Sequence, residues 1–357
     1  MNTPLRILAS CWVMTAVAGV VSALPPLPQP SGIPSPGPTN GLPYRPQPIL
    51  PGGIVVPLWS EGAPQLRSAR VHEAEHYTMS RSVPGRIASV TNIHNPSIEV
   101  HLVDGSLNTG AVVILAAGGG HRTLNVGSEA ADLVPYFFNY GVNTVILRNR
   151  LRSDGYEPKT DAVDDAMQAI RIVRAYSQEW KLDPARVGIM GFSAGAELAA
   201  PAGVLFESWA AEHKDASDPY AAHSARPDFV ALVYPGPTPF ARDPKPTVPR
   251  NAPPSFIMCP GSGDRGHAIW ADQYFDAFLD AGIPNLEMHI YGNGFHPGSG
   301  STAGITDRNG TPLGKWQDRF IEWFRDLGFL AKTGTPTKAV RDTEEFLAKP
   351  PQVPRKG

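Results

Sequence analysis

The chain has 357 residues, of which 18% are charged, and its formal net charge is −2. This length accommodates one large α/β domain with additions. Lysine and arginine do not cluster along the chain, which argues against a nucleic-acid-binding surface. The 38 prolines are concentrated near the ends of the chain and in predicted loops.

The first residues have the layout of a secretory signal peptide. Arg6 supplies a positive charge, an apolar run extends from Ile7 to Val21, and small residues follow. We therefore predict a signal peptide over residues 1–23, cleaved after Ala23, and export to the periplasm or the medium. The apolar run is shorter than the ~20 residues that span a membrane, so no stable membrane insertion is expected after cleavage.

One of the two cysteines lies in this segment. Leu8 to Cys11 resembles a lipobox, but almost no apolar segment precedes the cysteine, which disfavours a lipoprotein. Cleavage would remove Cys11 and leave Cys259 alone in an apolar run. We therefore predict a buried structural thiol and no intramolecular disulfide.

A proline-rich segment follows the predicted signal peptide. Residues 24–52 contain 11 prolines with Gly, Ser and Gln between them. Such a composition cannot form a packed core, so residues 24–53 are predicted to be a disordered, extended linker. A docking segment for a partner is the alternative interpretation.

The globular domain is predicted over residues 54–331, and its first strands are separated by turn residues. Strands are predicted over Glu75 to Ser80, Arg86 to Asn92 and Ile98 to Val103, and these are expected to form the antiparallel edge of the sheet. The tail over residues 332–357 is polar and contains proline, so we predict that it is loose.

From Ala111 onward, strands and helices alternate. The continuous apolar run from Ala111 to Ala117 is typical of a strand that is buried on both faces. Further strands are predicted over residues 143–147, 187–192, 229–234, 255–259 and 286–291. Helices are predicted over residues 128–140, 160–180, 197–205, 269–279 and 316–327. This alternation predicts a mostly parallel, twisted sheet with helices on both faces.

The strand from Val187 ends in Gly191-Phe192-Ser193-Ala194-Gly195, a Gly-x-Ser-x-Gly sequence, and an Ala- and Leu-rich helix follows. A serine on such a sharp strand-to-helix turn is a nucleophile elbow. The two glycines are required because side chains at these positions would clash with the closely packed strand and helix. The pentapeptide alone is weak evidence, since a serine in an ordinary glycine-rich turn has the same pattern.

A serine nucleophile needs a base and an acid that orients the base. Of the 10 histidines, His296 follows the final predicted strand, where the base is expected. Asp264 follows the penultimate strand and is the predicted acid, with Asp243 after the preceding strand as its competitor. Asp272 and Asp276 are more simply the polar face of a helix.

Gly118 to Gly120 follow the central strand and end at His121. Exposed backbone N–H groups in such a loop can bind an oxyanion, although an ordinary flexible loop is the alternative. We predict an oxyanion hole formed by the N–H groups of Gly119, Gly120 and Ala194. The predicted reaction is two-step acyl transfer, which requires no metal or cofactor, and the sequence contains no HExxH, CxxC or P-loop motif.

These motifs resemble those of secreted α/β-hydrolase esterases, a group that includes acetyl xylan esterases, feruloyl esterases and esterases associated with xylanases. The likeness extends over about residues 54–330 and is carried by residues 57–59, 117–121, 164–170, 191–195 and 292–296. The resemblance implies an α/β-hydrolase fold, a Ser193–His296–Asp264 triad and an oxyanion loop at Gly118 to Gly120.

Two positions depart from the pattern of that group. His121 stands where the group usually has an aromatic residue, and Ala196, followed by Glu197, stands where it often has a glycine. Both departures lie near the predicted pocket, so the substrate of the group is not transferred. His121, Glu197 and His267 are predicted to contact the substrate.

Three functions fit these observations. The first is an exported serine esterase that deacylates a carbohydrate, of the acetyl or feruloyl xylan type, or a small ester. The second is a peptidase of the same fold, which the short and polar segment over residues 24–52 disfavours, because such peptidases usually carry an added domain. The third is a non-catalytic binding module, for which a broken triad would be the signal.

Overall fold

The computed structural model describes residues 40–81, 83–214, 218–292, 294–297 and 315–350. The chain divides into two units, Met1–Pro30 and Ser31–Gly357, and every described residue belongs to the second. The predicted signal peptide and most of the predicted linker therefore lie outside the described residues.

Ten strands form in the described residues. They are β1 (Ile54–Pro57), β2 (His76–Met79), β3 (Ile87–Thr91), β4 (Ser97–His101), β5 (Val112–Ala116), β6 (Asn143–Arg148), β7 (Val187–Phe192), β8 (Val230–Val233), β9 (Ser255–Pro260) and β10 (Glu287–Tyr291).

The main sheet has eight strands in the order β1-β4-β6-β5-β7-β8-β9-β10. Strands β1 and β4 are antiparallel to their neighbours, whereas β6, β5, β7, β8, β9 and β10 are mutually parallel. Every residue of β5 to β9 in the main sheet is buried, and successive side chains point to opposite faces, so both faces are covered. This confirms the predicted α/β-hydrolase fold, with a mostly parallel sheet.

The predicted antiparallel edge is only partly correct. The strands β2 and β3 pair with each other in a separate two-stranded sheet, and the Ser80 N–H donates to the Arg86 carbonyl oxygen at 2.8 Å beyond their ends. Strand β4 does join the main sheet, and its antiparallel partner at the edge is β1, which the sequence analysis did not predict.

Helices cover the sheet. They are α1 (Leu133–Phe138), α2 (Val163–Ala175), α3 (Ala196–Val204), α4 (Phe206–Glu212), α5 (Arg265–Asp280), α6 (Trp316–Asp326) and α7 (Lys338–Ala348). Short 3₁₀ or π turns occupy Gly105–Leu107, Gly127–Ala131, Arg152–Asp154, Pro158–Ala162, Ser193–Gly195, Pro239–Ala241 and Ser262–Asp264. Helix α1 packs on β6, α2 and α3 pack on β7, and α5 and α6 pack on β9.

Helix α2 is shorter than the helix predicted over residues 160–180. Its predicted apolar face is buried, but the regular helix ends at Ala175, and residues 158–162 form a π turn instead. Asp165 in its first turn is fully buried, where it accepts hydrogen bonds from Trp59 Nε1 at 2.8 Å and from the Arg150 guanidinium at 2.9 Å. This contact joins the segments over residues 57–59 and 164–170.

The end of the predicted linker packs on the domain. Tyr44 is 4% exposed and Ile49 is 7% exposed. The Glu99 carboxylate on β4 accepts the backbone N–H groups of Ile49 at 2.6 Å and Leu50 at 2.9 Å. The predicted linker boundary at residue 53 is therefore wrong, because apolar side chains and backbone donors between the prolines bind residues 44–50 to the sheet edge.

The tail is likewise not loose throughout. Helix α7 forms over residues predicted to be irregular, and Thr337 caps it by accepting the Val340 N–H at 3.1 Å. The buried Arg186 guanidinium donates to the carbonyls of Ala331 at 2.5 Å, Lys332 at 3.0 Å and Thr335 at 2.6 Å. The folded domain therefore extends past residue 331.

One further prediction concerns burial. Cys259 on β9 is a buried free thiol, as predicted, and burial raises its pKa to about 12. Phe206 and Trp209 on α4 are buried in the core. In the described part of the chain, no helix is both long and apolar enough to cross a membrane.

Candidate active site

The predicted elbow lies between β7 and α3. Ser193 has a φ of 50°, in the left-handed region that residues with a side chain rarely adopt. A Cβ on Gly191 would lie 2.4 Å from the Gly195 carbonyl oxygen, and a Cβ on Gly195 would lie 1.9 Å from the Ala116 carbonyl oxygen. The steric reason given for both glycines is therefore confirmed, and the strain at Ser193 holds its side chain at the carboxyl edge of the sheet.

The structure brings the three predicted triad residues together. Ser193 Oγ lies 2.9 Å from His296 Nε2, and His296 Nδ1 lies 2.9 Å from Asp264 Oδ2. The three side chains follow β7, β9 and β10, whose parallel carboxyl ends lie at one edge of the sheet. The competitor Asp243 is exposed in the loop after β8, whereas Asp264 makes the contact with the imidazole.

The charge state of Asp264 decides the tautomer of His296. Burial raises the pKa of Asp264, but hydrogen bonds from His267 and His296 outweigh it and lower that pKa to about 2. An ionised carboxylate can only accept hydrogen bonds, so His296 Nδ1 carries the proton. His296 Nε2 is then free to accept the proton of the Ser193 hydroxyl.

His267 lies in a different place from the one predicted. Its Nδ1 is 2.6 Å from Asp264 Oδ1, and its ring stacks on His296 with centroids 3.8 Å apart. It therefore contacts the acid and the base of the candidate triad and does not line the neighbouring cleft. Asp264, His267 and His296 each offer a ligand atom within 4.8 Å of the others, so they could also hold a metal ion.

The glycine loop abuts the nucleophile. A Cβ on Gly118 would lie 2.9 Å from Ser193 Cβ, and the φ values of Gly119, Gly120 and His121 are 127°, 63° and 58°. The Gly118 N–H donates to Glu129 Oε2 at 2.7 Å. Among the described residues, the N–H groups of Gly119 and Gly120 have no backbone acceptor.

Glu129 is a residue that the sequence analysis missed. Its carboxyl is buried beside the nucleophile, where it accepts the Gly118 N–H and, at 3.0 Å, the Tyr234 hydroxyl. Tyr234 in turn places its ring edge-on to His296, with centroids 5.3 Å apart. Burial raises the pKa of Glu129 to about 6, despite both hydrogen bonds. Glu129 lies inside the helix predicted over residues 128–140, and nothing in that prediction indicated this position.

A cleft of about 190 Å³ adjoins the site, and the predicted contact residues His121 and Glu197 line it. Its walls are mainly apolar and are contributed by the π turn before α2, by α3 and by residues 237–239. The Gly236 N–H donates to the Ser193 carbonyl oxygen at 3.1 Å. The wall formed by residues 237–239, which directly follow Gly236, therefore begins beside the nucleophile. The cleft therefore lies next to the segment that carries Ser193.

The sheet order and the elbow define the fold as that of an α/β-hydrolase. The BD-FAE family model matches residues 98–242, which include β4 to β8 and the elbow.

Two relatives are similar in sequence. An acetylxylan esterase of Xylanibacter ruminicola is 28% identical over 163 residues, which are 45% of this chain and 28% of the relative. An endo-1,4-beta-xylanase B of Butyrivibrio fibrisolvens is 27% identical over 141 residues, which are 39% of this chain and 21% of the relative. The matched segment thus spans less than a third of the length of either relative.

Solved structures share the fold. An acetyl ester-xyloside bifunctional hydrolase from Caldicellulosiruptor lactoaceticus has a TM-score of 0.59 at 23% identity, covering 79% of this chain and 99% of that one. Esterase 2 of Thermogutta terrifontis with bound butyrate has a TM-score of 0.56 at 19% identity, with coverages of 68% and 93%. The chain is thus similar to part of an acetylxylan esterase in sequence, and it shares its fold with solved esterase structures.

Proposed function

We propose that this protein is a serine carboxylic-ester hydrolase, with Ser193 as nucleophile, His296 as general base and Asp264 as the orienting acid. The observation that carries the proposal is the chain of two 2.9 Å contacts from Ser193 Oγ through the imidazole to Asp264. A neutral serine hydroxyl is a poor nucleophile, and a base within hydrogen-bond reach removes its proton as it attacks.

The reaction proceeds in two steps. Ser193 Oγ attacks the ester carbonyl while its proton passes to His296 Nε2, and the imidazolium then protonates the departing alcohol. Water repeats the sequence on the acyl-enzyme and releases the acid. The N–H groups of Gly119, Gly120 and Ala194 stabilise the tetrahedral oxyanion in each step, and such a donor typically contributes ~3 kcal/mol to the transition state.

The proposed substrate is an acyl ester of a carbohydrate, of the acetyl or feruloyl xylan type, or a small ester. The sequence relative named as an acetylxylan esterase and the neighbour named as an acetyl ester-xyloside hydrolase support this choice. Export is part of the proposal and is supported by the signal-peptide pattern over residues 1–23.

The test is a Ser193→Ala variant assayed with 4-nitrophenyl acetate. We expect turnover to fall at least about a thousandfold, because the nucleophile is lost. Ser208→Ala, which removes an exposed hydroxyl on α4, is the matched control and should keep wild-type turnover. An unchanged rate in Ser193→Ala would overturn the nucleophile assignment.

Labelling with a serine-directed phosphonate separates an enzyme from a binding module. A reactive Ser193 in the folded protein supports hydrolysis, whereas an inert Ser193 would favour a non-catalytic role. A screen of acetylated xylan, feruloylated sugars and aryl esters then ranks the substrates by kcat/KM.

A further inference from the structure

The cleft beside Ser193 contains two buried polar atoms without partners. His121 is 5% exposed and Thr238 is 3% exposed. Among the described residues, His121 Nε2 and Thr238 Oγ1 make no hydrogen bond. His121 Nε2 lies 3.4 Å from a Glu197 carboxylate oxygen, but the pair is not aligned as a hydrogen bond. Leaving such groups unsatisfied typically costs ~1–3 kcal/mol each, so a bound ligand that satisfies them is favoured.

Two cations stand at the mouth of the same cleft. Lys159 and Arg242 both line it and are exposed, and neither forms an ion pair within the described ranges. The carboxylates nearest to Lys159 in sequence are engaged elsewhere: Asp161 pairs with Arg150 at 3.1 Å, and Glu157 accepts a backbone N–H. Glu197 is the acidic residue in the described lining, so the cleft carries two positive charges against one negative charge.

Apolar side chains also line the cleft, so a ligand there would contact apolar surface as well as charged groups. Leu198, Pro201 and Pro237 line the same cleft as Lys159 and Arg242. A ligand that suits this arrangement has a short apolar spacer and an anionic end. Carboxylates accept hydrogen bonds from hydroxyl and imidazole donors and pair with ammonium and guanidinium groups.

We propose that this cleft selects esters in which the acyl or the alcohol part carries a carboxylate. Lys159 and Arg242 supply the charge, and Thr238 Oγ1 and His121 Nε2 supply hydrogen bonds. Glu197 opposes the anion and limits how tightly it binds. The inference rests on the proposed function of Ser193 for its place in catalysis, because the other arm of the ester must reach that residue.

The test compares matched esters that differ in one carboxylate. 4-Nitrophenyl hemiglutarate against 4-nitrophenyl pentanoate places the charge on the acyl side, and 3-carboxyphenyl acetate against phenyl acetate places it on the alcohol side. We expect one pair to favour the anionic ester in kcat/KM by about tenfold, the effect of one charge-assisted contact. Lys159→Gln and Arg242→Gln should each lower that ratio several-fold, and Glu197→Gln should raise it.

Lys245→Gln is the control, since this exposed lysine lies in the same loop as Arg242 but outside the cleft lining. The proposed preference for anionic esters is wrong if both pairs favour the neutral ester. It is also wrong if the anionic-to-neutral ratio of kcat/KM is the same in Lys159→Gln, Arg242→Gln and wild type. In either case the proposed ester hydrolysis is unaffected.

Calorimetric binding of glutarate provides a readout that does not depend on turnover. We expect binding to the wild-type protein that weakens in Lys159→Gln and Arg242→Gln and with added salt. If no ester is cleaved but glutarate binds in this manner, the proposed function fails and the anion site is supported. If esters are cleaved and glutarate does not bind, the anion site is rejected.

Discussion

The imidazole rings of His267 and His296 stack with 3.8 Å between centroids and 14° between planes, and both Nδ1 atoms contact the Asp264 carboxylate. Because one carboxylate accepts from two histidines, His267 fixes the acid while its ring covers one face of the proposed base. His267 is therefore a candidate positioning residue.

We predict that His267→Ala lowers kcat about tenfold, because Asp264 and His296 lose an orienting contact. Loss of one hydrogen bond also raises the pKa of Asp264 from about 2 toward its ordinary value, so the acidic limb of the pH–rate profile should shift to higher pH. Measuring kcat from pH 2 to 9 checks both effects, because this range includes the pKa of Asp264 in both proteins. A His267→Ala profile that superimposes on wild type contradicts this role, and exposed His72→Ala is the control.

Glu129 should make the stability depend on pH in a defined window. Its folded-state pKa of about 6 is above the ordinary value of 4.5, so the folded state holds this proton more tightly than the unfolded state. The protonated carboxyl therefore adds ~2 kcal/mol to the free energy of unfolding below pH 4.5. This contribution is lost as the pH rises through about 6. The free energy of unfolding of the wild type minus that of Glu129→Gln should therefore decrease as the pH rises. Urea denaturation at several pH values measures this difference.

Glu212→Gln controls for removal of one negative charge, since Glu212 is exposed at the end of α4. A wild-type-minus-Glu129→Gln difference that is flat from pH 4.5 to 7 would show that burial does not penalise this carboxylate. The pKa of Asp264 is lowered in the folded state, so this residue stabilises the fold at higher pH. That contribution is lost as the pH falls toward 2, which is below the pH range in which Glu129 titrates.

Gly195→Ala should disrupt the elbow. The new Cβ would lie 1.9 Å from the Ala116 carbonyl oxygen, and backbone on both sides would have to move. We expect a loss of stability of ~3 kcal/mol or more and nearly complete loss of activity. Gly266→Ala is the matched substitution, because its Cβ would meet only Trp270, at 4.0 Å, and alanine favours the α5 helix. The midpoint temperature of thermal unfolding should fall in Gly195→Ala and rise in Gly266→Ala, each relative to wild type.

Asp165→Asn should destabilise the fold without touching the proposed triad. Asp165 is fully buried and is the main counter-charge of Arg150, which is 1% exposed. The substitution leaves Arg150 with only the partly exposed Asp161 as a counter-charge, and breaking a buried pair typically costs ~3–5 kcal/mol. Asp276→Asn on the exposed face of α5 is the control, and a comparable urea midpoint for both variants would refute the assignment.

The central part of the fold could be predicted because its signals are local. Apolar runs such as residues 111–117 mark strands buried on both faces, and the glycines around Ser193 mark a turn that only glycine permits. The order of Ser193, Asp264 and His296 after successive strands placed them at one sheet edge. Their contacts are now visible, while their catalytic roles stay predictions.

What the sequence analysis missed depends on contacts between distant residues. Strand β1 is four residues long and is held by β4, more than forty residues away. Residues 44–50 are proline-rich, and they are held by contacts with residues far along the chain, such as the Glu99 carboxylate and the Arg148 guanidinium. Glu129 and His267 have ordinary polar surroundings in sequence, and their positions beside the candidate triad arise only when the sheet assembles.

Arg186 has a consequence for how the protein is handled. This buried cation directly precedes the strand that carries Ser193, and three of the carbonyls that accept from it belong to residues 331–335. Versions of the protein that end before residue 331 would remove these three acceptors from the guanidinium. Truncation by genetic design or by a contaminating protease would thus weaken the base of the reactive strand, and recombinant protein should be produced with residues 331–335 intact.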